Sequence, residues 1–260
     1  MNPSSLAGRC IAVTRPEAQC RALEAGISGR GGTVLVFPLI AIEAIDDCDE
    51  IRAIRDALGH YDIAFFVSPN AVDHCLAALG GRAAWPPRLR VAGVGLGTRV
   101  ALERHGFSEV IAPEGGADSE AVLSLPEFAP AALAGRNLLI LRGDGGRDLL
   151  GREAERRGAR VQHLSCYRRR VPAGDAGVLL EAARQRRLSA LVVTSSEALG
   201  NLAIMAGDGG LGELVRLPIF VPHSRIAERA AEHGFDTIFT TGPGDAGILA
   251  GLDAHFQHVG

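Results

Sequence analysis

The sequence GRCIAVTRP at residues 8–16 resembles GRNLLILRG at residues 135–143, 127 residues further along the chain. The same offset relates FFVSPNAV at 65–72 to VVTSSEAL at 192–199. Shorter matches follow in the same order, GRGGTV with RRGARV, TRVA with SRIA, and HGF with HGF. The constant order and nearly constant spacing predict two copies of one structural unit.

Each copy alternates short apolar runs with segments that have helix-start signals. The run 63–67 is rich in β-branched and aromatic residues, which is typical of a buried strand, and Ser68 then caps a helix that begins at Pro69. Strands alternating with helices predict an α/β fold made of two similar domains, each with a parallel sheet covered by helices on both faces.

Two equivalent segments interrupt this rhythm. Residues 33–44 and 159–170 are both long and extended in character, and neither is followed at once by a helix with a Ser or Thr cap. These segments are interpreted as long strands that link the two domains.

The amino-acid composition argues against nucleic-acid binding and against lysine-dependent catalysis. The chain has 260 residues and a formal net charge of −3, so it has no overall positive field with which to bind nucleic acid. All 27 basic residues are arginines, which excludes Schiff-base lysine chemistry and a lysine-dependent phosphate loop.

The sequence also predicts the compartment. The first residues contain no apolar signal region, and the longest apolar run, at 34–42, is too short to span a bilayer. The five cysteines are widely spaced and form no CxxC motif, which is typical of reduced thiols in a cytoplasmic protein. No metal site is expected.

Hydroxyl side chains follow several of the predicted strands, at the ends where ligands bind to parallel sheets. Taken singly, each hydroxyl could be no more than a helix cap. As a set, they predict a cleft lined by helix N-termini that binds a carboxylate or phosphate. The candidate binding residues are Ser68, Thr98, Ser195, Ser196 and Ser224, with Arg15 and Arg142 at matching positions of the two copies.

Two further features leave alternatives open. VAGVGLGT at 91–98 has the pattern GxGxG, not GxGxxG, and it lies late in its copy, so dinucleotide binding is disfavoured. Tyr167, one of two tyrosines, ends a predicted linking strand and is either a buried packing residue or a functional one. No catalytic triad, carboxylate pair or metal cluster is present as a motif.

These motifs resemble the uroporphyrinogen-III synthase family over nearly the full length and in the same order. The segments that match are VTRPEAQ at 13–19, FVSPNAV at 66–72, VAGVGLGTRVA at 91–101, LRGDGGRDLL at 141–150, CYRR at 166–169, VTSSEAL at 193–199 and PHSRIAERAAEHGF at 222–235. The chain departs from the family pattern at Ser68-Pro69 and at His223, where a small hydroxyl residue is frequent.

The resemblance implies a Rossmann- or flavodoxin-like architecture with a discontinuous first domain. One domain would comprise residues 1–35 and 172–260. The other would comprise residues 36–171 and include the linker strands 36–44 and 160–171.

The resemblance also implies an activity. Family members close the linear tetrapyrrole hydroxymethylbilane to uroporphyrinogen III, losing water and inverting the last pyrrole ring, on the route to haem. This is a cyclising hydro-lyase reaction on a polycarboxylate, with no cofactor, metal, nucleic acid or membrane implied. Tyr167 matches the family's candidate acid. A monomer is expected, and the alternative is a non-catalytic cytoplasmic two-domain protein that binds a small polyanion.

Overall fold

The computed structural model describes residues 5–116, 118–145, 148–207 and 210–257. The chain divides into two compact units. Unit 1 comprises Met1–Ala41 and Arg170–Gly260, and unit 2 comprises Ile42–Arg169. The domain boundaries implied by the resemblance, 1–35 with 172–260 and 36–171, stay predictions.

Eleven strands are defined in the described residues. In chain order they are β1 (Cys10–Val13), β2 (Thr33–Val36), β3 (Ala41–Ala44), β4 (Ile63–Phe66), β5 (Arg90–Gly93), β6 (Val110–Ile111), β7 (Asn137–Gly143), β8 (Arg160–Arg170), β9 (Ala190–Val192), β10 (Ile219–Val221) and β11 (Ile238–Thr240).

Helices occupy most of the connections between these strands. In chain order they are α1 (Arg21–Ser28), α2 (Asp49–Asp56), α3 (Pro69–Ala78), α4 (Leu96–Arg104), α5 (Ser119–Leu123), α6 (Pro130–Leu133), α7 (Leu149–Arg156), α8 (Gly177–Arg184), α9 (Ser196–Ala206), α10 (Ser224–Glu232) and α11 (Gly244–Gln257). None of those in the described part of the chain is long and apolar enough to cross a membrane.

Unit 1 contains a five-stranded sheet in the order β11-β10-β9-β1-β2, and its paired strands are parallel. Ile11 and Val13 pack on one face, together with α1 and α11. Ala12 packs on the opposite face, with α8, α9 and α10. Both faces of the sheet are therefore buried, which explains why its strands are continuous apolar runs without polar alternation.

Unit 2 contains a six-stranded sheet in the order β3-β8-β7-β4-β5-β6. The central pairs β4 with β7, β4 with β5 and β7 with β8 are parallel. Ala64 and Phe66 face a core formed with α2, α3 and α4. Ile63 and Phe65 face a second core formed with α5 and α7.

The two sheets have the same strand order when equivalent strands are matched. β1 begins at Cys10 and β7 at Asn137, an offset of 127 residues, and β4 and β9 show the same offset. With β2 matched to β8, β5 to β10 and β6 to β11, the order β11-β10-β9-β1-β2 corresponds to β6-β5-β4-β7-β8. The predicted α/β fold with two similar parallel sheets is confirmed.

One predicted linker strand is wrong in detail. Residues 33–44 form two short strands, β2 and β3, which belong to different sheets. The break contains Pro38, which has no N–H to donate to a strand ladder. Residues 160–170, in contrast, form the single long strand β8.

Candidate functional site

Four of the candidate residues lie at the carboxyl edge of the unit 2 sheet. Ser68 follows β4, Thr98 lies in the first turn of α4 after β5, and Arg142 is near the end of β7. Tyr167 lies in the last part of β8. Because the paired strands are parallel, their carboxyl ends meet at one edge, which is where ligands bind in folds of this class.

Tyr167 is a fully buried side chain whose hydroxyl is hydrogen-bonded to Ser68. Its exposed fraction is 0%, and it belongs to the core cluster that includes Phe66 and Cys166. The phenol oxygen lies 3.0 Å from Ser68 Oγ, and either group can be the donor. The backbone carbonyl of Tyr167 accepts a hydrogen bond of 2.9 Å from the amide of Asp144.

The Tyr167 ring is held by close packing on Gly143 and His74. A Cβ at position 143 would lie 2.6 Å from two atoms of the ring, a distance that real contacts do not reach. On another side the His74 imidazole lies with its centroid 5.3 Å from that of the phenol, the planes inclined by 32°. The ring position therefore depends on a glycine at residue 143.

Ser68 joins this tyrosine to the start of α3. Its Oγ accepts a hydrogen bond of 3.1 Å from the Ala71 amide, so it satisfies one of the free N–H groups of the first helical turn. Pro69 occupies a first-turn position, where the missing N–H costs nothing. The predicted Ser68 cap is confirmed. Unlike Tyr167, Ser68 is partly exposed.

Arg142 and Thr98 are directed elsewhere in this conformation. The Arg142 guanidinium donates to the backbone carbonyls of Gly143 and Gly145, so it holds the loop that follows β7. Thr98 is 1% exposed, its methyl group lies close to Gly93, and its hydroxyl has no hydrogen-bond partner among the described residues. Their roles in binding stay predictions. Gly146 and Arg147 of the matching LRGDGGRDLL motif lie outside the described residues.

The other four candidates lie at the carboxyl edge of the unit 1 sheet. Ser195 caps α9 by accepting a hydrogen bond of 3.2 Å from the Glu197 amide. The hydroxyl of Ser196 is buried and has no partner in the described part of the chain. Ser224 is exposed at the start of α10, where the cap is His223, whose Nδ1 accepts a 3.1 Å hydrogen bond from the Arg225 amide.

His223 therefore fills the capping position at the start of α10 with an imidazole ring. An imidazole nitrogen accepts a hydrogen bond only when it carries no proton, so the cap requires the tautomer with the proton on Nε2. The adjacent Ser224 hydroxyl is therefore not the N-cap of α10.

Arg15, the fourth candidate of unit 1, is engaged by an acidic residue. It follows β1, and its Nη1 forms an ion pair with Oδ1 of Asp245 in the first turn of α11. The side chains are 14% and 30% exposed, so the pair is partly shielded from water. The Arg15 guanidinium, which is predicted from the sequence to bind a ligand carboxylate, is thus paired with Asp245.

One buried cysteine in the core cluster of Tyr167 is a poor nucleophile. Cys75 of α3 and Cys166 of β8 are both buried in the core cluster that contains the tyrosine. Burial, reinforced by the neighbouring Cys166 thiol, raises the pKa of Cys75 well above its usual value. Since the thiolate is the reactive form, Cys75 remains an inert packing residue at neutral pH.

Comparison with known proteins identifies the family. The family model described as uroporphyrinogen-III synthase HemD matches residues 21–249. A uroporphyrinogen-III synthase of Salmonella typhimurium is 33% identical over 231 residues, which cover 88% of this chain and 93% of the relative. The chain belongs to the uroporphyrinogen-III synthase family. A second uroporphyrinogen-III synthase, from Escherichia coli, is 30% identical over 230 residues, with the same coverage of both chains.

Solved structures of uroporphyrinogen-III synthases show the same fold. A mutant enzyme from Thermus thermophilus aligns with a TM-score of 0.59 at 18% identity, covering 96% of this chain and 99% of that one. The enzyme from Helicobacter pylori aligns with a TM-score of 0.58 at 14% identity, covering 93% and 97%. These alignments extend the fold assignment over nearly the whole chain.

Three residues that contact the candidate site residues were not predicted from the sequence. Gly143 lies within a quoted motif, but its role as a platform for Tyr167 depends on a bulge in the pairing of β7 with β8. His74 lies one turn into α3 and carries no motif signal. Asp245 pairs with Arg15 across 230 residues of sequence, and no local pattern predicts such a contact.

Proposed function

We propose that this chain closes hydroxymethylbilane to uroporphyrinogen III, with loss of water and inversion of the terminal pyrrole ring. The observation that carries the proposal is the match to synthases of this name at 30% identity or more over 88% of the chain. We also propose that it works in the cytoplasm as a monomer.

The proposed reaction is mainly a positioning task. The bilane can close without inversion, so the enzyme must hold the terminal rings until the substituted carbon forms the new bond. The substrate bears many carboxylates, and helix N-termini bind anions through free N–H groups and partial positive charge. We therefore propose that substrate carboxylates bind at the starts of α3, α4, α9 and α10. Holding the substrate in this way requires no strong acid or base.

Tyr167 is proposed as the source of the proton that leaves with the hydroxyl group. A phenol carries an O–H donor, so a tyrosine within reach of the leaving oxygen can supply a proton to it. The hydrogen bond to Ser68 supports this role because it orients the phenolic oxygen at the carboxyl edge of unit 2.

Arg15 is proposed to bind a substrate carboxylate in competition with Asp245. Arg15→Leu is expected to raise KM by roughly two- to fivefold because an attractive charge is lost. Asp245→Asn is expected to lower KM, because the guanidinium no longer has a carboxylate partner within the chain. Steady-state kinetics with hydroxymethylbilane measure both effects.

A matched control uses the second ion pair of α11. Asp253, which lies on the same helix as Asp245, pairs with Arg30 at a distance of 2.9 Å. Neither Asp253 nor Arg30 is a candidate ligand. Asp253→Asn should leave KM unchanged. If Asp245→Asn raises KM instead of lowering it, Arg15 is a structural residue held by Asp245 and not a substrate ligand.

The exposed and capping serines of unit 1 should make small contributions to binding. Ser195→Ala and Ser224→Ala are each expected to weaken substrate binding by about 0.5–1.5 kcal/mol, because backbone N–H groups supply the remaining contacts. KM should therefore rise less than about tenfold while kcat is retained. Ser124→Ala, which removes a hydroxyl bonded to the Glu120 carbonyl in unit 2, is the control. A large loss of kcat would contradict the assignment.

The function itself is tested by incubating the purified chain with hydroxymethylbilane. The products are oxidised and the type I and type III isomers are separated. Formation of type III above the spontaneous type I background is expected. Tight binding of the bilane with no type III product would favour the alternative, a non-catalytic polyanion-binding protein.

A further inference from the structure

Tyr167 and Ser68 differ in their access to solvent, and this difference bears on the path of the proton. Tyr167 is fully buried, so its hydroxyl does not meet a substrate in this conformation. Ser68 is partly exposed at the carboxyl edge of the sheet, and its Oγ lies 3.0 Å from the phenolic oxygen. The serine therefore lies between the buried phenol and the surface.

We propose that Ser68 relays the proton of Tyr167 to the leaving hydroxyl of the substrate. This inference rests on the proposed function, and it replaces the sequence-based assignment of Ser68 as a carboxylate ligand. Ser68 becomes the catalytic residue that touches the reacting oxygen, and Tyr167 becomes the proton source behind it.

The relay balances in protons and electrons. The carbon–oxygen bond of the hydroxymethyl group breaks with its electron pair on oxygen, which takes the Ser68 proton and leaves as water. Ser68 Oγ takes the proton of Tyr167, which becomes a phenolate. The substituted carbon of the terminal ring forms the first new bond and bears no hydrogen, so its bond to the original methylene bridge then breaks. The free α-carbon of the same ring bonds to that methylene and loses its hydrogen as a proton, which returns through Ser68 to the phenolate.

The hydrogen-bonding capacity of Ser68 fits this sequence. A hydroxyl has one donor and two acceptor positions. One acceptor position is filled by the Ala71 amide at 3.1 Å, which fixes Oγ at the start of α3. The second can accept from Tyr167 while the serine proton points to the substrate. The N-terminus of α3 also favours the negative charge that passes along the chain of hydroxyls.

The packing of Tyr167 fits the same role. Gly143 and His74 confine the ring, so the phenol cannot turn outward to meet the substrate without displacing them. A phenol that is fixed in this way is better suited to pass its proton to Ser68 than to donate it directly to the substrate.

A double-mutant cycle tests the relay. Ser68→Ala should lower kcat about as much as Tyr167→Phe, by about 10²-fold or more, with little change in KM. The double variant should be no slower than Tyr167→Phe by more than about twofold, because both changes interrupt one path. Ser68→Thr, which keeps the hydroxyl, should retain most of the activity.

Two measurements separate the relay from a structural effect. Asp118 caps α5 in the same unit by accepting a 2.8 Å hydrogen bond from the Ala121 amide, so Asp118→Ala removes an equivalent cap and should keep kcat. Carbon-13 labelling at Cζ of the two tyrosines gives two NMR signals, which Tyr167→Phe assigns. Ser68→Ala should shift the Tyr167 signal and leave that of Tyr61 in place.

The outcomes are distinct. Wild-type kcat with a raised KM in Ser68→Ala would restore the serine as a carboxylate ligand and overturn the relay. Multiplying losses in the double variant, or an unmoved Tyr167 signal, would overturn it as well. If the wild-type chain forms no type III product, the proposed function fails and the relay fails with it.

Discussion

Tyr167→Phe is expected to lower kcat by about 10²–10⁴, the usual contribution of a positioned acid. The substitution removes the phenolic oxygen that lies 3.0 Å from Ser68 and keeps the ring that packs on Gly143. The fold should therefore persist, and the type III isomer should remain the product, because positioning depends on other groups. Single-turnover rates with isomer analysis measure both quantities.

The second tyrosine supplies the control. Tyr61 precedes β4, is partly buried, and has a pKa raised by that burial. It is hydrogen-bonded through its backbone at the end of a short helical turn, so Tyr61→Phe should keep the wild-type rate. Near-normal turnover of Tyr167→Phe would remove the acid role and leave Tyr167 as a packing residue.

Gly143→Ala should affect both stability and rate. The new Cβ would lie 2.6 Å from the Tyr167 ring, and residue 143 is buried, so the ring has to shift. Overpacking of this kind costs about 1–3 kcal/mol of unfolding free energy. Because the shift moves the phenolic oxygen away from Ser68, kcat should fall by more than tenfold. Urea unfolding and steady-state kinetics measure the two effects.

Gly59→Ala is the matched control in the same unit, because a Cβ at position 59 meets no atom within 4 Å. It should leave stability and kcat close to wild type. Wild-type kcat in a folded Gly143→Ala variant would show that the exact position of the Tyr167 ring is unimportant for the reaction.

The strand positions were largely predictable because the repeat is strong. The 127-residue offset places the starts of β1 and β7, of β2 and β8, and of β4 and β9 at equivalent positions, and the structure has them there. The break within residues 33–44 was not predicted. An apolar run with one proline can form an edge strand or an interrupted one, and only the pairing with two separate sheets decides between them.

The places of the candidate residues in the fold were predictable, but their contacts were not. Carboxyl ends of parallel strands, marked by hydroxyls, indicated the two edges where the eight candidates lie. The burial of Thr98 and Tyr167 depends on which neighbours cover them, and a sequence pattern does not specify these. The ion pair of Arg15 with Asp245 likewise joins residues that are distant in sequence and adjacent only after folding.

The strand order of unit 1 has a consequence for biosynthesis of the chain. β1 is flanked by β2 and β9, so Ile11 pairs with Ala190 across most of the polypeptide. Unit 2 is one continuous segment and emerges from the ribosome whole, whereas the central position beside β1 stays open until residue 190 has been synthesised. The N-terminal βα segment therefore completes its place in the sheet only after β9 has been synthesised, and until then the unpaired backbone edge of β1 is open to chaperones or to aggregation.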